Sequence, residues 1–214
     1  MKIERIVKKD RRNVIIDFDD DSNLIINYEV LLKNGLRKGM EVSSDRFSFL
    51  IEENEKYKIK TSAINYLAKR IHSERELKTK LQQKKYDREI INQVVDELKE
   101  RELVDDYKFS LIFIEEKIRT KLWGEKKIKS ELLKKGINNE ILSRVMSEKF
   151  PGDNSLENAV ELASKKIKSL SYKNLEKRKL AEKVYSFLAS RGYDFQTSRE
   201  AVERVLNESF TIKF

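Results

Sequence analysis

Eight cationic side chains fall within residues 117–135: Lys117, Arg119, Lys121, Lys126, Lys127, Lys129, Lys134 and Lys135, faced only by Glu125 and Glu131. One chemistry suits such a run, the neutralisation of a polyanion. Ammonium and guanidinium groups displace counterions from phosphates, and the binding they give falls steeply as salt rises. The competing explanation is a solvated helix face, the usual fate of a charge run. A second basic run, Lys69, Arg70, Arg75, Lys78, Lys80, Lys84 and Lys85, is interrupted by Glu74 and Glu76. The i,i+4 spacings Glu74–Lys78 and Glu76–Lys80 offer surface ion pairs as its explanation. A third run comprises Lys165, Lys166, Lys168, Lys173, Lys177, Arg178 and Lys179. The candidate binding residues are the eight central cations together with Arg75, Lys78, Lys84 and Lys85.

Metal and nucleophilic chemistry have less to work with. Asp17, Asp19 and Asp21 stand at the first, third and fifth positions of a calcium-loop pattern. Ser22 replaces its turn glycine and Tyr28 its bidentate glutamate, so the cluster reads as a turn. His72 is the only histidine and there is no cysteine. Neither the usual transition-metal ligand sets nor a nucleophile–histidine arrangement can be assembled from these residues. His72 is expected at a helix end or on the surface. No G-x-x-x-x-G-K-[ST], G-x-G-x-x-G or H-E-x-x-H segment occurs. Trp123 lies beside the central cations, where an aromatic ring can stack on a base; a lone tryptophan among amphipathic helices is expected to pack between them instead. No catalytic residue, cofactor or metal is therefore expected.

The bulk composition agrees with a binding protein. Charged residues make up 39% of the 214, against roughly 25% in ordinary soluble domains. With six glycines and one proline, this favours helices that bury one stripe and wet the rest. The net charge of +9 is uneven: residues 1–61 carry 13 Lys/Arg against 12 Asp/Glu, and the remainder 33 against 25. A basic excess confined to part of a chain is the footprint of a polyanion-binding surface. The first residues lack the apolar core of a signal peptide. No run of about 18 apolar residues occurs, so a soluble cytoplasmic protein without membrane attachment is expected.

The elements that must carry these residues are legible in outline. Lys2–Lys8 alternates imperfectly, as a short strand does. Asn13–Phe18 and Leu24–Asn27 are β-branched runs separated by Asp19-Asp20-Asp21-Ser22-Asn23, which predicts a hairpin. A short helix follows near Tyr28–Lys33, ended by Gly35. From about Ser43 the pattern is helical, broken at Gly124, Gly136, Pro151-Gly152 and Gly192, with the stretch Pro151–Ser155 read as a link between helical units.

The helical part repeats. The apolar ladder Leu77, Leu81, Tyr86, Ile90, Val94 recurs 51 residues on as Ile128, Leu132, Ile137, Ile141, Val145. It recurs again, 107 residues on, as Val184, Leu188, Tyr193, Thr197, Ala201. Each ladder spans two helices, since its spacings of four keep to one face. Gly136 and Gly192 suit the left-handed residue that ends the first helix, with Asp or Asn capping the next. An amphipathic stretch precedes each ladder: Ser62–Arg70, Tyr107–Ile118 and Leu156–Lys166. The expected fold is mainly α: three tandem three-helix repeats in an elongated curved array, preceded by a small antiparallel β element. The expected divisions are 1–61 for the β-hairpin/helix element, then 62–106, 107–152 and 153–214 for the repeats.

Three segments resemble the RecX family of regulatory proteins. Ser73–Leu81 is similar to its S-x-x-E-L-x-x-K-L, and Gly124–Ile137 to its G-x-x-x-I-x-x-E-L-x-x-K-G-I. Val95-Asp96-Glu97-Leu98 followed by Leu103–Phe109 resembles its helix, acidic turn and next module. The resemblance runs from about Ser62 through nearly all of the remaining chain. It departs at Lys85, where the other repeats have glycine, and at Val184, where the Glu-Leu pair is missing. The resemblance implies a monomeric regulator of homologous recombination, DNA repair and the SOS response. It would bind the RecA recombinase filament on single-stranded DNA and restrain strand exchange, ATP hydrolysis and co-protease activity, with no catalysis of its own.

The alternative is a helix-turn-helix-like DNA-binding regulator. Its reading helix would follow the Gly136 turn and present Asn138, Asn139, Glu140, Ser143 and Arg144. That helix is poor in cations, which lie on the preceding one. A scaffold for an acidic protein is a third reading, distinguished by indifference to DNA.

Overall fold

The computed structural model describes residues 1–150, 155–173 and 175–211. The chain forms two compact units, Met1–Val104 and Asp105–Phe214.

In the first unit, β1 (Ile3–Lys8), β2 (Asn13–Phe18) and β3 (Asn23–Asn27) form an antiparallel sheet in that order. The β2–β3 register pairs Val14 with Ile26 and Ile16 with Leu24. All four are buried, as the period-2 alternation of a one-sided sheet requires. The aspartate cluster is a turn: Asp20 Oδ1 accepts from the backbone N–H and the hydroxyl of Ser22, and Asp21 is left-handed at φ 60°. Among the described residues no group of His, Asp and Glu could hold a metal ion. Helix α1 (Tyr28–Lys33) starts on Asn27, whose side chain accepts from the Glu29 N–H, and Gly35 at φ 62° follows it.

Helix α2 (Ser44–Leu67) serves two cores. Leu50, in its first half, joins the sheet core; Ile59 and Ala63, in its second, join the core of α3 (Glu74–Gln82) and α4 (Arg88–Glu100). Between them Asn54 binds the end of β3, accepting from the Asn27 N–H at 2.9 Å and donating to the Ile25 carbonyl at 3.1 Å. The helix therefore runs unbroken across residues 61 and 62. The α3–α4 core contains Leu77, Leu81, Ile91, Val94, Val95 and Leu98; burial of each such side chain contributes roughly 1.5–3 kcal/mol.

The second unit holds α5 (Asp106–Lys121), α6 (Glu125–Lys134), α7 (Asn139–Lys149), α8 (Ser155–Leu170), a 3-10 turn (Ser171–Lys173), α9 (Lys177–Ser190) and α10 (Phe195–Thr211). The link expected at Pro151–Asn154 lies outside the described residues. Ile128, Leu132, Ile137 and Val145 of the second ladder are buried, as are all five residues of the third. Tyr86 and Ile90 of the first ladder are only half-buried. The turns share one backbone state, with Lys85 at φ 62°, Gly136 at φ 84° and Gly192 at φ 94°. Asp87, Asn138 and Asp194 then cap the following helices through their side chains. The chain is thus three three-helix repeats in tandem behind a three-stranded antiparallel sheet.

Candidate functional site

The central cations straddle the corner between α5 and α6. Helix α5 ends at Leu122, a left-handed residue (φ 49°, ψ 47°). The hydroxyl of Tyr193 donates to the Leu122 carbonyl at 2.9 Å; burial raises the Tyr193 phenol to about 12, so the donor keeps its proton. Gly124, the N-cap of α6, brings no side chain to its orphan N–H groups. The α9–α10 turn satisfies them instead: the Gly124 N–H donates to the Arg191 carbonyl at 2.9 Å, and the Lys126 N–H to the Gly192 carbonyl at 3.1 Å. The start of α6 is thereby fixed against the third repeat within the same unit.

The eight cations divide into two sets. Phe109 stacks on Phe113 with ring centres 5.9 Å apart, and Phe113 meets Trp123 edge-on at 6.3 Å. Lys117 lies over Phe113 (5.2 Å) and Trp123 (6.0 Å), Lys127 over Trp123 (5.7 Å), and Lys135 over Phe113 (5.2 Å). All three lysines are half-buried, with stems packed on the rings and charges over their π faces. Lys134 bonds Glu131 at 2.9 Å and Lys127 approaches it at 3.5 Å. The hydrogen bond from Lys134 is the main cause holding the Glu131 carboxyl below its ordinary range. Arg119, Lys121, Lys126 and Lys129 remain, all exposed and without an ion pair among the described residues. Trp123 packs between helices, as expected of a lone tryptophan.

The first-unit candidates also divide. Lys78 pairs with Glu74 at 2.7 Å, as its spacing predicts, and Lys99 shares that carboxylate at 2.7 Å. The expected Glu76–Lys80 pair is replaced: Glu76 takes Arg70 at 2.9 Å, and Lys80 lies over the Tyr66 ring. Lys84 donates to the Ser62 hydroxyl at 3.2 Å and also lies over Tyr66. Arg75 and Lys85 are exposed. His72 corrects the surface reading. It immediately precedes Ser73, the N-cap of α3, but is only 3% exposed. Its Nδ1 lies 2.9 Å from the Arg70 carbonyl; since a carbonyl only accepts, the proton sits on Nδ1. Burial is the main cause lowering its pKa.

Two of the five side chains named for a DNA-reading α7 are engaged. Asn138 caps the helix through the Ile141 N–H at 2.8 Å, and the Arg144 guanidinium covers the Tyr107 ring at 4.2 Å. Sequence reading passed over Arg11, Arg12 and Lys58, which with Lys84 line one groove of the first unit. The only signal was the Arg11-Arg12 pair between the first two predicted strands.

Comparison with known proteins gives a consistent result. Three family models match in order: the first three-helix domain of RecX at residues 60–98, the second at 105–146 and the third at 153–202. Regulatory protein RecX of Clostridium acetobutylicum is 32% identical over 203 residues, 94% of this chain and 93% of that one. Regulatory protein RecX of Clostridium perfringens strain 13 is 29% identical over 205 residues, 96% of this chain and 95% of that one. Among solved structures, a crystal structure of regulatory protein RecX superposes with a TM-score of 0.71 at 22% identity, covering 96% of this chain and 98% of that one. RecX from Lactobacillus salivarius superposes at 0.61, also at 22% identity, over 72% of this chain and 97% of its own.

Proposed function

The chain belongs to the RecX family of regulatory proteins, and we propose that it acts by binding the RecA recombinase filament on single-stranded DNA and restraining its activities. The family relation supports the choice of partner. The observation that carries the choice of surface is the exposed quartet Arg119, Lys121, Lys126 and Lys129 at the α5–α6 corner. Surface lysines already paired with carboxylates are partly neutralised, and exposed pairs are worth little. Unpaired cations on a fixed corner keep their charge for phosphates or for acidic patches on the filament. The regulator catalyses nothing: it binds stoichiometrically, in the cytoplasm where the recombinase works, and the hydrolysed nucleotide is RecA's. Half-buried Lys117, Lys127 and Lys135 position the corner rather than touch the filament.

The test is ATP hydrolysis by RecA on single-stranded DNA while the chain is titrated in. Suppression at substoichiometric amounts is expected. No suppression at several-fold excess, at low salt and with the recombinase of the same organism, would overturn the reading.

A further inference from the structure

The first unit contains a groove of about 620 Å³ that the proposed regulatory surface does not use. Three elements distant in sequence converge on it. The β1–β2 turn brings Arg11 and Arg12, helix α2 brings Lys58, and the α3–α4 turn brings Lys84 and Tyr86. Tyr28, at the start of α1, adds a ring that is 49% exposed. Glu29 is the one carboxylate on the lining.

Some cations of this unit are matched with carboxylates: Lys33 bonds Glu53, Lys56 bonds Glu52, Lys60 bonds Glu97, and Lys78 and Lys99 share Glu74. Others, Arg75 and Lys85 among them, are exposed without an ion pair among the described residues. What sets the groove apart is that its unmatched cations converge on one concavity. Arg11, Arg12 and Lys58 are exposed and have no ion pair among the described residues. Among the described residues Lys84 meets the Ser62 hydroxyl and the Tyr66 ring and no carboxylate. The backbone that presents them is held: the Tyr28 N–H donates to the Arg12 carbonyl at 2.8 Å, and Asp10 accepts from the Arg12 N–H at 2.7 Å. Tyr86 is fixed from beneath, its hydroxyl 3.1 Å from that of Ser62. A solvated lysine-rich helix would place its cations on one element, in register with glutamates. Here cations without an ion pair among the described residues converge from three elements on one concavity.

We propose that this groove binds single-stranded nucleic acid. Guanidinium and ammonium groups meet successive phosphates, Arg11 and Arg12 offering forked donors that suit phosphate oxygens. Bases lie against the Tyr28 and Tyr86 rings, a combination that accepts any sequence. An acidic polypeptide has the charge for the groove but nothing to place on the aromatic rings, so the nucleic acid fits better. The site is independent of the α5–α6 corner and needs no recombinase.

The test is fluorescence anisotropy of a labelled oligo-dT with the full chain alone at low salt. Binding is expected, and R11E/R12E should raise the Kd about tenfold and lower the salt slope by about 1.4, roughly 0.7 for each phosphate no longer neutralised. Y28A should also weaken binding. Both arginines are exposed, and an unchanged circular dichroism spectrum will show that R11E/R12E folds. Equal affinity of R11E/R12E and the unaltered chain would overturn the proposal, as would absence of binding. Displacement of the oligonucleotide by poly-glutamate as readily as by unlabelled oligo-dT would overturn it in favour of an acidic protein partner. None of these outcomes bears on RecA suppression, so the two readings fail separately.

Discussion

Gly124 rests directly on Gly192: a Cβ added to Gly124 would lie 2.7 Å from both the carbonyl carbon and the carbonyl oxygen of Gly192. The obstruction is backbone on both sides, so no rotamer change relieves it. Serine is a better N-cap than glycine by a few tenths of a kcal/mol in open surroundings. At this corner the ranking reverses. G124S should destabilise the second unit by about 1–3 kcal/mol, the cost of overpacking a close contact. Denaturant unfolding measures it; stability equal to or above that of the unaltered chain would show that the α9–α10 turn does not cap α6.

The first repeat makes the same turn without glycine. Lys85 sits at φ 62°, and a left-handed conformation costs an L-residue roughly 1–2 kcal/mol. Glycine removes that cost but gives back part of it through its looser unfolded chain. K85G should therefore stabilise the first unit by about 0.5–1 kcal/mol, read as a higher midpoint of unfolding. A lower midpoint would mean that the lysine side chain contributes more than its backbone costs.

These two turns show what the sequence made legible and what it did not. The ladders, strands and caps were readable because they are periodic and local: Leu77 and Leu81 announce a helix face, and Asp87 and Asn138 announce the next start. Lys85 could be aligned with Gly136 and Gly192 for the same reason. The Gly124–Gly192 contact joins residues far apart in the chain, and glycine has no side chain to signal a partner. The division of the cations was hidden likewise. Lys127 and Lys129 are equivalent in composition, but Lys127 lies over Trp123 and near Glu131 while Lys129 stays exposed. The long helix α2 runs across the expected division at residues 61 and 62, its first half in the sheet core and its second half in the core of the first repeat.

His72 gives the first unit a pH dependence. Its folded pKa lies below the ordinary histidine value of 6.5, because burial disfavours the charged ring. On acidification the unfolded chain takes the proton first. Stability from this site is therefore complete above about pH 6.5 and is lost as pH falls from there through the folded pKa. H72N keeps a donor for the Arg70 carbonyl and cannot titrate. Its thermal midpoint should fall less between pH 7.5 and 5.5, values chosen to bracket the unperturbed pKa of about 6.5. Parallel midpoint curves for the two chains would show that His72 is not held neutral.

The proposed docking on the recombinase filament rests above all on the unpaired cations of the α5–α6 corner. The direct measurement is suppression of RecA ATP hydrolysis on single-stranded DNA by K126E/K129E, beside the charge-matched K165E/K168E on α8. Lys126 and Lys129 have no ion pair among the described residues, so their reversal should leave the fold intact. Half-suppression should need about tenfold more K126E/K129E, as expected when cationic contacts to a polyanion are reversed, while K165E/K168E acts like the unaltered chain. Equal potency of the two variants would contradict the assignment.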